Sequence, residues 1–238
     1  MHTREAIDIV DLDSMRSVSL KRSTGVYRAE SYGEFLARAV WTHARGDTAC
    51  DLTSGSGLHA ITMAMKGLQV VAIDLSPDAV ALAADNAALN GVSLSVRCGD
   101  TYEALEPEEQ FDVLVAWPPV MPTPTGSSGT SDAWWELSNS GGSDGRRVFD
   151  AIIAGARAHL SAAGVLMTLH PWYFDAQKTE ELAGSVGLDV DWRHVKRFPM
   201  GVLSRARLPY LRQLGFEPLG ENGNCVQVMQ FVIFSRTT

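Results

Sequence analysis

The chain has 238 residues, 45% apolar and 20% charged, enough for one large domain whose core needs neither disulfides nor a metal. Twenty Lys and Arg against 28 Asp and Glu give a net charge of −8, which excludes general coating of nucleic acid but not a local basic face. Three scattered cysteines without a CxxC pair, charges where a secretory leader needs its apolar stretch, and no apolar run near the ~20 residues of a membrane span predict a reduced, cytoplasmic protein with no membrane part.

Residues 1–24 read as an N-terminal extension and 25–238 as one domain of alternating strands and helices. Thr48 to Leu52 is a short apolar strand ending in a Gly-rich turn, and Leu58 to Lys66 the helix after it. Gln69 to Ile73 is a β-branched strand ended by Asp74. Ser76-Pro77-Asp78 starts a helix that stops at Asn90-Gly91. Ser93 to Arg97 and Phe111 to Ala116 follow as strands. Residues 120–145, rich in Gly, Ser, Thr and Pro, read as a lid because so long a loop in a compact domain is rarely mere connection. Arg146 to Leu160 is helical, the fifth strand is VLMTLH, Gln177 to Val186 is a helix, and Leu188 to Val195 and Val226 to Phe234 are strands. This rhythm predicts a doubly wound, mostly parallel sheet of seven strands in a three-layer α/β/α arrangement. Arg193 to Arg212 holds six of the 20 Lys and Arg residues, as a solvated basic face or as a docking surface for an acidic substrate or partner.

Chemistry concentrates at the carboxyl ends of the first four of these strands, the edge where open α/β sheets bind ligands. In Asp51-Leu52-Thr53-Ser54-Gly55-Ser56-Gly57 the glycines admit a ligand to the backbone, and the following helix offers unpaired N–H groups. Asp74 suits both hydroxyls of a ribose, or else is a solvent-facing acid at a helix start. Gly55-x-Gly57-x-x-Ala60 also satisfies a dinucleotide fingerprint, so an oxidoreductase competes here. Asp51 within the turn would repel a pyrophosphate but tolerate a ligand with cationic amino and sulfonium groups. Asp100, after the third strand, suits the exocyclic amine of adenine. Trp117-Pro118-Pro119 places a rigid diproline at the end of the fourth strand.

The segments DLTSGSG, AIDLSPDAVALAADNAALNGV, CGDT and FDVLVAWPPV together resemble the class I S-adenosylmethionine-dependent methyltransferases. More narrowly they resemble the HemK-like group, which includes release-factor glutamine N5-methyltransferases and relatives that methylate nucleobase amines. GVYRAESYGEFLARAV and SDGRRVFDAIIAGARAHLSAAGVLMTL are similar to that group as well. The resemblance implies S-adenosylmethionine as cofactor, held by Asp51, Gly55, Gly57, Asp74, Asp100 and the turn around Trp117. Thr53, Leu75 and Thr101 stand beside them, and Tyr27 of the approach segment serves cofactor and acceptor alike.

Two departures from the group's pattern bear on the acceptor. Thr53 stands where the group has Gly, a change expected to alter little. Its Asn-Pro-Pro-Tyr motif reads Trp117-Pro118-Pro119-Val120 here, and an indole N–H cannot accept a hydrogen bond from an amine. The acceptor set is Tyr27, Trp117, Pro118, Trp134 and Trp135, the last two stacking from the lid or simply anchoring it. Trp117, Pro118 and His170 are the catalytic candidates, His170 as a base or else as a hydrogen-bonded structural residue. His59 reads as structural, and no metal is expected. The expected activity is N-methylation of a small planar metabolite in a repurposed site. The alternatives are a glutamine side chain of a release factor or other protein, an amine on RNA, or a cofactor-binding protein without transfer activity.

Overall fold

The computed structural model describes residues 6–28, 30–126, 138–220 and 225–237. The chain divides into two compact units, one of residues 1–117 with 158–168 and the other of 118–157 with 169–238.

In the first unit β1 (Ile7–Asp11) and β2 (Ser17–Lys21) form an antiparallel hairpin. Its turn is held by Asp13, whose Oδ1 accepts the N–H groups of Met15 and Arg16. Val10, Leu12, Val18 and Leu20 face one way and pack with Ala37, Leu58, Ile61 and Ala87. Two asparagines one turn apart on α3 (Pro77–Leu89) and its C-cap fasten this hairpin: Asn86 accepts Lys21 N–H at 2.7 Å, and Asn90 accepts Ser19 N–H at 2.9 Å. Asn86 also donates to the Ser56 carbonyl at 2.9 Å, so one fully buried amide joins hairpin, helix and Gly-rich turn. Ser76 caps α3 through its hydroxyl, Pro77 sits at its first position, and Gly91 leaves it with a φ of 68°.

β3 (Thr48–Asp51), β4 (Gln69–Asp74), β5 (Ser95–Cys98) and β6 (Phe111–Val115) are parallel. Ala49, Cys50, Ala72, Ile73, Val113, Leu114 and Val115 have almost no exposure, as expected of strands covered on both faces. α1 (Ser31–His43) and α2 (Leu58–Ala64) complete this unit with α3. With β7 (Leu160–Pro171) parallel to β6, and with β8 (Leu188–Pro199) and β9 (Val226–Arg236), the seven-stranded sheet runs β5-β4-β3-β6-β7-β9-β8. Strand order therefore reverses between β3 and β6, and their carboxyl ends flank the switch point.

The second unit holds most of α4 (Arg147–His159), with α5 (Ala176–Ser185), β8 (Leu188–Pro199), α6 (Val202–Gln213) and β9 (Val226–Arg236), the last antiparallel to β8. Met121 and Ser140 bridge across the base of the 120–145 segment, Met121 N–H donating to the Asn139 carbonyl at 2.9 Å and Gly141 N–H donating to the Met121 carbonyl at 3.0 Å. A Cβ at Gly145 would lie 2.3 Å from the Val120 carbonyl, so only glycine lets these strands of the loop close on each other.

The seven-stranded doubly wound fold is as the sequence predicts. The sequence pattern does not predict the hairpin, α1 or α6, and β7 and β8 are longer than expected. Among the described residues no helix is long and apolar enough to cross a membrane.

Candidate active site

The Gly-rich turn after β3 divides its two glycines between separate tasks. Gly55 has a φ of 51° and open space where a Cβ would stand, so its backbone faces room for a ligand. Gly57 has a φ of 88°, and a Cβ there would meet Ala83 Cα and Cβ at 3.1 Å. Its missing side chain lets α2 start against α3, a packing task beside the ligand approach expected of the turn.

Asp74 closes the other side of the turn. Its Oδ2 accepts Gly55 N–H at 2.8 Å and its Oδ1 accepts Ser76 N–H at 2.9 Å. The carboxylate is half-buried and retains lone pairs for a ligand hydroxyl. Burial pushes its pKa up, against the backbone N–H groups that favour its charged form. Next to it Leu75 is 49% exposed, an apolar face at the strand end. β4 and β5 are in register from Asp74 to Cys98, and Gly99 N–H donates to the Asp74 carbonyl at 3.0 Å. Asp100, exposed one residue further on, thus belongs to the same edge. Thr101 takes a left-handed φ of 45°, a strained conformation for a β-branched residue and one that concentrates at functional sites.

Asp51 is not placed to meet a ligand directly. It is fully buried, its Oδ2 accepting Ala60 N–H at 3.1 Å and its Oδ1 accepting Thr53 N–H at 3.4 Å. It therefore holds the turn from beneath. Burial raises its pKa to about 7, helped by the Asp74 charge and opposed by the two N–H groups. His59 packs beside it, Nδ1 lying 3.9 Å from Asp51 Oδ2 while Nε2 donates to the Gly33 carbonyl at 3.2 Å. Burial lowers the His59 pKa to about 4, so the imidazole is neutral and structural.

Thr53 does more than replace a glycine. Its hydroxyl accepts the backbone N–H of Trp117 at 2.9 Å, joining the turns after β3 and β6. The half-buried Trp117 ring stands 6.2 Å from Tyr32 at an interplanar angle of 59°. Tyr27 is half-buried and close enough for its charge to raise the Tyr32 pKa, though burial is the main cause of that shift. Tyr32, in the first turn of α1, is a site residue the sequence pattern does not single out; its signal is an aromatic ring within the approach segment GVYRAESYGEF.

In the second unit Pro118 is buried at the start of its segment, and Trp134 and Trp135 lie outside the described residues. His170 is enclosed by Phe149, Phe174 and Trp192 at centroid distances of 5.8, 5.5 and 4.9 Å, with Nε2 3.1 Å from Thr179 Oγ1. Burial and the Arg146 charge lower its pKa to about 4. Arg146 itself is buried, donating to Thr179 and Asp175 and paired with Asp150. These surroundings fit the structural reading of His170 rather than a base.

The first unit fits S-adenosylmethionine. Gly55 opens onto space, the buried Ser54 Oγ has no hydrogen-bond partner, and an acid, an apolar residue and a second acid line the β4–β5 edge. A methyltransferase-domain family matches residues 49–127, which hold every one of these groups. The chain is 32% identical over 178 residues to a putative protein N5-glutamine methyltransferase of Methanocaldococcus jannaschii, covering 74% of this chain and 88% of that one. It is 37% identical over 145 residues to the ribosomal protein uL3 glutamine methyltransferase of Bordetella pertussis, covering 58% and 48%. The chain thus spans about half the length of the bacterial glutamine methyltransferases it matches. Among solved structures, the T. thermophilus 16S rRNA N2 G1207 methyltransferase superposes with a TM-score of 0.61 at 17% identity, covering 99% of this chain and 50% of that one. The ribosomal protein L11 methylase of Lactobacillus delbrueckii subsp. bulgaricus gives 0.61 at 16% identity over 97% and 99%, and both likenesses concern the fold. With this turn, this acidic strand end and this diproline, the chain belongs to the HemK-like group of class I methyltransferases, enzymes that use S-adenosylmethionine.

Proposed function

We propose that this enzyme methylates a nitrogen on a planar acceptor and not the primary amide of a glutamine side chain. The observation that carries the reading is Trp117, pinned by Thr53 at the end of β6 with its ring beside Tyr32. The HemK-like group orients the target NH2 with its Asn side chain as well as the adjacent Pro carbonyl, and the indole that replaces that Asn cannot accept a hydrogen bond. A rigid aromatic face favours a flat partner instead. The relatives' names favour glutamine, but they describe proteins matched over only part of this chain or of themselves.

When bound, S-adenosylmethionine supplies a methyl carbon activated by its sulfonium. The residues of this chain then have to bind, align and exclude water. Asp74 would hold ribose hydroxyls, Leu75 and Asp100 the adenine ring and its amine, and the Gly55 backbone the methionine end. Trp117 would set the plane of the acceptor, with the Pro118 carbonyl as the remaining hydrogen-bond acceptor beside it. No base is assigned. A neutral amine acceptor would need no base, because methylation acidifies its N–H and the proton can pass to water, and an aromatic ring nitrogen that reacts through its lone pair carries no proton to remove.

A free metabolite is the first reading of the acceptor. A nucleobase within RNA is the second, favoured by the basic stretch beginning at Arg193. The test is labelled S-adenosylmethionine with three acceptor pools: a dialysable metabolite extract, RNA, and purified release factor. Label in the first or second pool supports the planar acceptor, and label on a release-factor glutamine overturns it. Trp117→Asn should lower transfer on the order of 100-fold by misplacing the acceptor, with Trp117→Phe milder.

A further inference from the structure

Charge is unevenly shared along this acidic chain. Residues 193–216 carry six of the 20 Lys and Arg residues and no Asp or Glu, leaving the other 14 among all 28 acids. The first part of this stretch lies on β8, one of the two edge strands of the sheet. A β-bulge between Trp192 and Val195 places an extra residue of β8 opposite β9. Beyond it alternation fails, and Arg193, His194, Val195, Lys196 and Arg197 are exposed in succession. Bulges re-aim side chains in this way.

The second part lies on α6, with Arg205 and Arg212 exposed and Arg207 half-buried. Several of these cations are steadied by neighbours. Arg193 pairs with Asp191 and Arg212 with Glu217, both at the borders of the stretch. Arg205 Nε donates to the Met200 carbonyl at 2.9 Å, and Lys196 Nζ lies 5.2 Å over the Phe198 ring. The carbonyl is an uncharged partner, so this anchor positions the Arg205 charge without cancelling it. Cations on an edge strand also prevent unwanted strand pairing, which accounts for β8. It does not account for α6, a helix with no edge to protect.

We propose that the basic stretch of β8 and α6 is a docking site for the phosphate backbone of a nucleic acid, an inference that rests on the second acceptor reading above, a nucleobase within RNA. A stable protein partner would need an apolar centre, and the large exposed apolar residues here are the scattered Val195, Val202 and Leu214. Nucleic-acid interfaces are polar and strongly positive, and guanidinium forks match phosphate oxygens. The acidic remainder of the chain repels a polyanion and confines it to this stretch.

The probe is a fluorescein-labelled single-stranded RNA of mixed sequence, followed by anisotropy across a salt series. Three to six phosphate contacts predict a slope of log K against log salt of about −2 to −4, at ~0.7 per phosphate. Arg197→Glu should weaken binding by about fivefold or more, while Arg16→Glu, an equal change of net charge on the β1–β2 turn, should stay within about twofold. Unchanged binding of S-adenosylhomocysteine verifies that both variants are folded. If Arg197→Glu fails to fold, Arg193→Glu carries the same comparison. Equal losses at positions 197 and 16, a flat salt response, or polyglutamate competing as well as RNA would overturn the proposal, the last in favour of an acidic protein.

Discussion

The hydroxyl of Thr53 accepts the main-chain N–H of Trp117 at 2.9 Å, so two of the three positions where this chain departs from the HemK-like pattern hold each other. A glycine at position 53 could not make this bond. A buried N–H left without a partner costs about 1–3 kcal/mol. Thr53→Val keeps the shape and removes the acceptor, so it should lower transfer on the order of 10-fold at saturating cofactor, with S-adenosylmethionine affinity nearly unchanged. Thr53→Ser should restore the rate. A Thr53→Val enzyme with normal turnover and weakened cofactor binding would instead place the hydroxyl in the service of the cofactor.

Asp74 should matter to cofactor binding more than to stability. Asp74→Ala removes the acceptor for Gly55 and Ser76 N–H and for any ribose hydroxyl. Affinity for S-adenosylhomocysteine should fall by about 1–3 kcal/mol by calorimetry. An unchanged dissociation constant would mean that the ribose is held elsewhere.

Gly57 is a packing position, and stability should report it. Gly57→Ala forces a left-handed φ of 88° on a residue with a Cβ and presses that Cβ to 3.1 Å from Ala83. Strain of this kind costs roughly 1–3 kcal/mol, measurable by urea unfolding. Gly55→Ala shares the left-handed strain but meets no neighbour, so it should cost less stability and impair cofactor binding instead.

Asp51 and His59 bias stability in opposite directions. Asp51 is raised from 3.8 to about 7, so its contribution is fully present below pH 3.8 and is lost as pH rises through 7. His59 is lowered from 6.5 to about 4, so its contribution is present above pH 6.5 and is lost as pH falls through 4. In the overlap the folded protein holds both neutral where the unfolded chain holds both charged, and the two slopes offset each other. Asp51→Asn should therefore make stability fall more steeply on acidification, while His59→Gln should make it fall toward neutral pH. His170, also lowered to about 4, adds an acid-side slope to all three proteins. Each pKa unit is worth ~1.4 kcal/mol, so a pH series of urea midpoints resolves the effect. Parallel curves for wild type and both variants would remove the pair from the account.

The parallel strands, the helix after Ser76 and the Gly-rich turn were legible in the sequence because each rests on local chemistry. Continuous apolar runs make strands covered on both faces, a serine and a proline start a helix, and positive φ calls for glycine. Trp117 and Asp74 stood out for the same reason, at strand ends where side-chain type alone restricts the ligand. The α6 helix was hidden by Pro209 within it, and the hairpin by strands of only five residues. What each side chain faces was decided only by the tertiary structure. Asp51 and Asp74 are both acids at strand ends, yet one is sealed under the turn and the other half-open to a ligand. Gly55 and Gly57 both have positive φ, yet one borders space and the other a helix. Thr53 and Trp117 lie 64 residues apart, and only the pairing of β3 with β6 brings hydroxyl and N–H within bonding distance. Burial and long-range partnership depend on every element around a residue, so no local pattern encodes them.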